Sequence, residues 1–364
     1  MKAVMWRNLM DIGMRMHAMA KPTAPSPSRT ISIPSTLSTR PGEIDLHFYL
    51  PKTYDTSDGR RYPFILNFHG GGFTIGHATD DARWARAVVE YADAVVVSVE
   101  YRLAPEHPFP TAIEDGVDAA LYCIDHADEL RIDSHRVAFS GFSAGGNMSF
   151  SVPIRLAEEY RLRRESSQSI SYREGTVVAI AAWYPSLDYT KTREERRKTN
   201  VRQDKDLPKF FTNLFDASYL PNNRGVDLSS PWLSPGIAPD PMIKQLPENI
   251  ILYTCEWDEL QAEGEKFYRR LVDVFDKKVV YKTITGVCHA FDKTPNPFHW
   301  DQKIEKMYRD ACRELRTVFY GYPGDDVIGE PVSAEEDEVG KYGEVDTRIE
   351  VVELSKDAES GVRR

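Results

Sequence analysis

Short apolar runs recur along the chain at 29–33, 43–49, 62–68, 94–101, 137–140, 176–183, 249–254 and 278–283. Their length and their content of β-branched and aromatic residues predict strands. Between most of them lie longer stretches with helical patterning, at 79–92, 111–128, 145–164, 258–276 and 299–318. Two of the strands lack polar alternation: Ala94-Val95-Val96-Val97-Ser98-Val99 and Val177-Val178-Ala179-Ile180-Ala181-Ala182. A strand that is apolar on both sides is covered on both sides, as in a parallel sheet between helices. The alternation of β and α signals therefore predicts an α/β fold with a mostly parallel central sheet and helices on both faces.

The rhythm breaks in three places. Residues 186–247 are polar and proline-rich, with one aromatic helix-like piece around 210–219. They read as a cap insertion within one α/β domain made of 30–185 and 248–320. Residues 1–20 are Met-rich, with Lys2, Arg7 and Arg15 among apolar positions and Asp11 the single acid. That pattern predicts an N-terminal helix packed on the body, and 22–29 a linker. The competing reading of the N-terminus is a mitochondrial presequence; a secretory signal would need a continuous apolar core.

The third break accounts for most of the charge. The net charge is −10, but residues 321–364 alone hold 13 acidic and 5 basic residues, against 43 and 41 in the rest. The segment 321–364 is expected to be an acidic, disordered tail. The body is nearly neutral, which excludes the basic field of a nucleic-acid binder. No window approaches the run of about 18 apolar residues that spans a bilayer. Cys123, Cys255, Cys288 and Cys312 are scattered, without ligand or disulfide spacing, and suit a reducing, cytoplasmic setting. No HExxH, CxxC pair or P-loop is present, so no metal or cofactor is expected. Oligomeric state is left open.

The chemistry concentrates in three places. Gly141-Phe142-Ser143-Ala144-Gly145 joins an apolar run to a helical one. A serine on such a tight strand-to-helix turn is held exposed at a helix N-terminus, and small neighbours are needed where strand and helix backbones nearly touch. His69-Gly70-Gly71-Gly72-Phe73 follows the third strand. Its consecutive glycines leave backbone N–H groups uncovered, as the stabilisation of a tetrahedral oxyanion requires. A base is then expected downstream of the serine, after an acid. His289, in a loop after the last strand, is favoured over His299, which sits at the start of a helix. The acid should end the preceding strand, where Glu256, Asp258 and Glu259 compete. Asp258 is favoured, because a short carboxylate just past the strand holds an imidazole most rigidly, and the glutamates read as solvated or capping groups.

These blocks, together with Tyr101-Arg102-Leu103-Ala104-Pro105-Glu106, Phe109-Pro110, Glu114-Asp115, Gly145-Gly146-Asn147, Trp257-Asp258-Glu259-Leu260 and 286–291, resemble the hormone-sensitive-lipase-like branch of the α/β-hydrolases, the alpha/beta hydrolase fold-3 carboxylesterases. The resemblance spans about 30–320. It implies Ser143 as nucleophile, His289 as base and Asp258 as its partner. It implies oxyanion donors from the backbone of Gly71, Gly72 and Ala144, with His69, Gly70, Gly141 and Gly145 supporting the motifs. It also implies that residues 1–29 contribute to the cap together with the 186–247 insertion, and that Arg102, Glu106 and Asp115 anchor the loop behind the site. The expected activity is hydrolysis of a small or medium-sized apolar carboxylic ester. Rival readings are an amide, lactone or carbamate hydrolase on the same scaffold, and a silent ligand-binding protein. One departure stands out: many relatives carry Asp before the nucleophile, where this chain has Phe142, which suggests a more apolar acyl or alcohol pocket.

Overall fold

The computed structural model describes residues 2–55, 57, 59–166, 172–220 and 225–321; the expected acidic tail lies outside them except for Gly321. The chain begins with helix α1 (Lys2–Met19). Strands β1 (Arg29–Pro34), β2 (Glu43–Tyr49) and β3 (Tyr62–Phe68) follow, then the short α2 (Ala82–Ala87), β4 (Val95–Glu100), α3 (Thr111–Asp125), β5 (Ile132–Phe142) and α4 (Ala144–Glu165). After β6 (Val177–Trp183) come three helices of the expected insertion, α5 (Arg193–Thr199), α6 (Lys209–Tyr219) and α7 (Asp240–Lys244). The chain returns to the sheet with β7 (Asn249–Trp257), α8 (Gln261–Asp273), β8 (Lys278–Cys288) and α9 (Gln302–Tyr320).

All eight strands join one sheet in the order β1-β2-β4-β3-β5-β6-β7-β8. β1/β2 and β2/β4 are antiparallel, and every pair from β4 to β8 is parallel. The all-apolar strands lie in the middle, as expected for strands covered twice. In β4, Val95, Val97 and Val99 pack into one buried cluster with α3, α4 and α8, while Val96 packs into the other with α2 and α9. Two elements differ from the sequence pattern. β5 starts at Ile132 rather than 137, because Asp133, His135 and Arg136 conceal a strand whose charges satisfy each other, Arg136 Nε lying 2.7 Å from Asp133. The helix expected over 79–92 is three short pieces, a 3₁₀ turn, α2 and a π turn, ending at Asp93 with φ 52.

The strand order sets the site. β3 and β5 are distant in sequence but adjacent in the sheet, with Phe68 opposite Gly141. The glycine loop after β3 and the serine after β5 therefore leave the same edge side by side. This is the carboxyl edge of a parallel sheet, where α/β folds place their ligands.

Candidate active site

Ser143 occupies the corner between β5 and α4 with φ 56 and ψ −112. A non-glycine residue rarely adopts this geometry, and the surroundings hold it there: its N–H donates to the Trp183 carbonyl (2.9 Å), and its own carbonyl accepts from Asn147 N–H (3.0 Å). The glycines around it are sterically obligatory. A Cβ on Gly145 would lie 1.9 Å from the Phe68 carbonyl oxygen, and one on Gly141 2.3 Å from that of Gly145. Ala144 is the first residue of α4, where backbone N–H groups lack intrahelical partners.

The 69–73 loop lies against this corner. A Cβ on Gly70 would sit 3.2 Å from the Phe142 carbonyl and 3.5 Å from Ser143 Cβ. Gly71 (φ 115) and Gly72 (φ 59) take conformations that favour glycine. Thr74 and Ile75 N–H groups both donate to the Gly71 carbonyl at 3.0 Å. His69 is fully buried, stacked on Tyr101 at 4.2 Å, and its Nδ1 donates to the Gly70 carbonyl (2.7 Å). Burial pulls its pKa down to about 3, so it is a neutral brace for the loop.

Asp258 follows β7 and His289 follows β8, adjacent parallel strands. His289 Nδ1 lies 2.7 Å from Asp258 Oδ2, and Nε2 lies 2.8 Å from Ser143 Oγ. An ionised carboxylate only accepts, so Nδ1 carries the proton, Nε2 accepts, and Ser143 donates. Asp258 is held in turn by the Leu260 N–H (3.0 Å). Burial lowers the His289 pKa, but the charge and hydrogen bond of Asp258, and the charge of Glu259, outweigh it and leave the pKa above the ordinary 6.5. The rival histidine, His299, is exposed and precedes α9.

Three residues depart from the sequence reading. Glu259 is neither solvated nor a cap: it is 4% exposed and receives Arg193 Nη1 (2.9 Å) and Arg197 Nε (3.2 Å) from α5. Glu106 binds Arg7 of α1 (2.7 Å), while Arg102 and Asp115 pair with each other behind the loop (2.6 Å). Phe142 does not face the cavity beside Ser143. It is fully buried on the opposite side, stacked on Trp183 (5.6 Å) beneath the Lys293 ammonium (3.9 Å from the ring centre). Phe142 is therefore not among the residues that line the cavity at Ser143.

The sequence reading missed the groups behind His289. Lys293 bridges Asp81 (2.8 Å) and Asp292 (3.2 Å), and Asp292 accepts from the Tyr184 and Tyr308 hydroxyls. Tyr184 meets the His289 ring edge-on at 4.9 Å. Asp292 and Lys293 follow closely on His289, but Tyr184, Tyr308 and Asp81 carry no local signal. The cavity at Ser143 measures only about 30 Å³ and is roofed by Phe215 of α6, Leu207, Thr212 and Tyr189. Phe215 lies directly on the glycine loop: a Cβ on Gly72 would sit 2.3 Å from its ring.

Residues 65–293 match the alpha/beta hydrolase fold family. The chain is 29% identical over 295 residues to an AB hydrolase superfamily protein of Schizosaccharomyces pombe, covering 79% of each. It is 30% identical over 253 residues to an arylesterase of Saccharolobus solfataricus, covering 70% of this chain and 74% of that one. The structure aligns with an esterase of Pyrobaculum calidifontis at a TM-score of 0.70 and 27% identity, over 87% of this chain and 93% of that one. The fold and the matched motifs agree, and this chain belongs to the hormone-sensitive-lipase-like alpha/beta hydrolase fold-3 family.

Proposed function

We propose that this protein hydrolyses carboxylic esters through an acyl-enzyme at Ser143. The observation that carries the reading is the continuous relay Asp258–His289–Ser143, at 2.7 and 2.8 Å, beside a glycine loop. Relatives named as an arylesterase, a carboxylic ester hydrolase and acetyl esterases support it. Ser143 Oγ attacks the ester carbonyl as His289 Nε2 takes its proton. The backbone N–H groups of Gly71, Gly72 and Ala144 receive the oxyanion. His289 then protonates the departing alcohol, and water, activated in the same way, releases the acid. Asp258 keeps the imidazole in the productive tautomer and stabilises its charged form.

In this reading α1 and the 186–247 segment form a cap over the serine. Trp6 of α1 meets Phe210 (5.0 Å) and Phe211 (4.8 Å) of α6, and the same helix sets Phe215 on the oxyanion loop. The roof residues Phe215, Leu207 and Tyr189 support a small or medium-sized apolar substrate. Four free cysteines, three of them buried, accord with a reducing, cytoplasmic setting, and among the described residues no helix is long and apolar enough to cross a membrane. The test is a series of nitrophenyl esters of increasing acyl length, run beside lactone and anilide substrates, with fluorophosphonate labelling. Labelling at Ser143 with preferred turnover of esters is expected. A protein that forms no adduct at Ser143 would overturn the assignment.

A further inference from the structure

Away from the serine, β2, β4 and the end of the glycine loop bring two imidazoles and a carboxylate to one point. His47 lies on β2, Glu100 ends β4, and His77 caps the 3₁₀ turn Ala78–Asp81. In the antiparallel ladder Asp45 pairs with Glu100 and His47 with Ser98, so His47 and Glu100 share one face of the sheet. His77 Nε2 is 3.2 Å and His47 Nε2 4.0 Å from Glu100 Oε2, and all three ligand atoms lie within 4.8 Å of one another. Among the described residues no other trio of histidine, cysteine or acidic side chains converges in this way.

Each imidazole is oriented from behind, and Glu100 is held at the same oxygen that faces them. His47 Nδ1 meets the Thr30 hydroxyl at 3.0 Å, His77 Nδ1 meets that of Thr79 at 2.9 Å, and Glu100 Oε2 accepts the Ala78 N–H at 2.7 Å. Such hydrogen bonds to the far side of a ligand fix the tautomer and direction of metal-binding groups. His47 Nε2 is buried and has no hydrogen-bond partner, while it faces a carboxylate too distant to receive a proton from it. With Nδ1–H directed at Thr30, that nitrogen offers a lone pair, and a cation between it and Glu100 would satisfy both.

We propose that His47, His77 and Glu100 form a binding site for a divalent transition metal of the zinc type. Two borderline imidazole nitrogens beside one hard carboxylate oxygen suit zinc or cobalt better than magnesium or calcium, which prefer oxygen ligands alone. Metal–ligand bonds of about 2.1 Å would place tetrahedral ligand atoms about 3.4 Å apart; His77 already stands at 3.2 Å from Glu100, and His47, at 4.0 Å, has to move inward. In the structure His77 Nδ1 accepts the Thr79 N–H (3.2 Å), so binding a metal through Nε2 moves the ring proton to Nδ1, releases that capping bond and directs the Nδ1–H to Thr79 Oγ1. The half-exposed His77 leaves the fourth position open to water.

The metal would act on the glycine loop from its far end. Gly76 (φ 98) is pressed so closely against the loop's start that a Cβ there would lie 2.5 Å from the Gly70 carbonyl. Fixing His77 to the sheet therefore stiffens the loop that holds Gly71 and Gly72. This consequence rests on the proposed hydrolase reading, whereas metal binding does not.

The test is calorimetric titration of zinc chloride into the full-length, EDTA-treated protein, with magnesium and calcium chlorides for comparison. The wild type, Ser143→Ala, His289→Gln and Cys288→Ser chains are each expected to bind one zinc at micromolar affinity or tighter. His47→Gln and Glu100→Gln are expected to weaken it at least tenfold while keeping the wild-type circular dichroism in EDTA. Cobalt in place of zinc should give a visible absorption band that His77→Gln abolishes. Absence of saturable zinc binding overturns the proposal, as does binding undiminished in both His47→Gln and Glu100→Gln, or lost in Cys288→Ser or His289→Gln. Because heat and absorbance are read rather than turnover, failure of the metal site leaves the esterase reading standing, and the reverse holds as well.

Discussion

Ser143 sits in a backbone conformation that costs on the order of 1–3 kcal/mol for a non-glycine residue, held in place by bonds to Trp183 and Asn147. Exchanging its hydroxyl for hydrogen leaves that backbone unchanged, so Ser143→Ala should keep the wild-type melting temperature while turnover falls by up to about 10⁶. A melting curve and a nitrophenyl ester assay on one preparation check both halves. Asp258→Asn should fold equally well yet lose roughly 10⁴ in kcat, because an amide lets the imidazole turn to the unproductive tautomer. The pH profile follows from the same three groups. In the proposed mechanism the working base is neutral His289, and Asp258 and Glu259 hold its pKa above 6.5. The rising limb of kcat/KM should therefore have its midpoint above pH 6.5, and Glu259→Gln, which removes one of those charges, should move it down.

At the level of elements, two contacts decide how the site is built and opened. β3 and α4 approach so closely at Gly145 that no side chain fits, so Gly145→Ala must push strand and helix apart. A loss of at least about 1–3 kcal/mol, the usual range for overpacking, is expected in urea unfolding, together with lower activity from the displaced serine. The other contact is Phe215 of α6 on Gly72. A cavity of about 30 Å³ is far smaller than a long acyl chain, so in the proposed reading such a chain enters as α6 or its aromatic ring moves. Phe215→Ala should raise kcat/KM for long-chain esters relative to acetate esters, as an acyl-length series will show.

Across the whole molecule, α1 is tied to the catalytic body at both ends. Arg7 donates to the carbonyls of Thr74 (2.8 Å) and Ala104 (2.6 Å), and Arg83 reaches the carbonyls of His17 (3.0 Å) and Ala20 (2.8 Å) from below. His17 itself is buried, with Nδ1 3.2 Å from the Thr294 carbonyl, and burial first, then Lys293 and Arg83, lower its pKa to about 4. A histidine whose folded pKa is depressed opposes protonation in the docked state, so its stabilising contribution is present above pH 6.5 and is lost as pH falls towards 4. Docking of α1 should weaken across that window, seen as faster hydrogen exchange in residues 2–19 after correction for intrinsic rate. His17→Gln, which cannot titrate, should flatten the response.

The amino-acid pattern alone points to the α/β architecture and names the three residues that the structure brings together, Ser143, Asp258 and His289. Doubly apolar strands, a serine between small residues and a run of glycines are local demands of backbone geometry, and local demands are written in contiguous sequence. The order Ser143, Asp258, His289 was legible because each residue follows the end of its own strand. What lies between strands was not. Phe142 turns into the core because β5 ends on that face, and Glu259 is buried because α5 of the insertion folds back over it. Phe215 closes the pocket only once α6 meets the glycine loop. His47, His77 and Glu100 meet because β2 pairs with β4 while the loop after β3 returns to that edge. Those encounters join segments far apart in the chain, and their geometry follows from strand order and packing rather than from the period of any one segment.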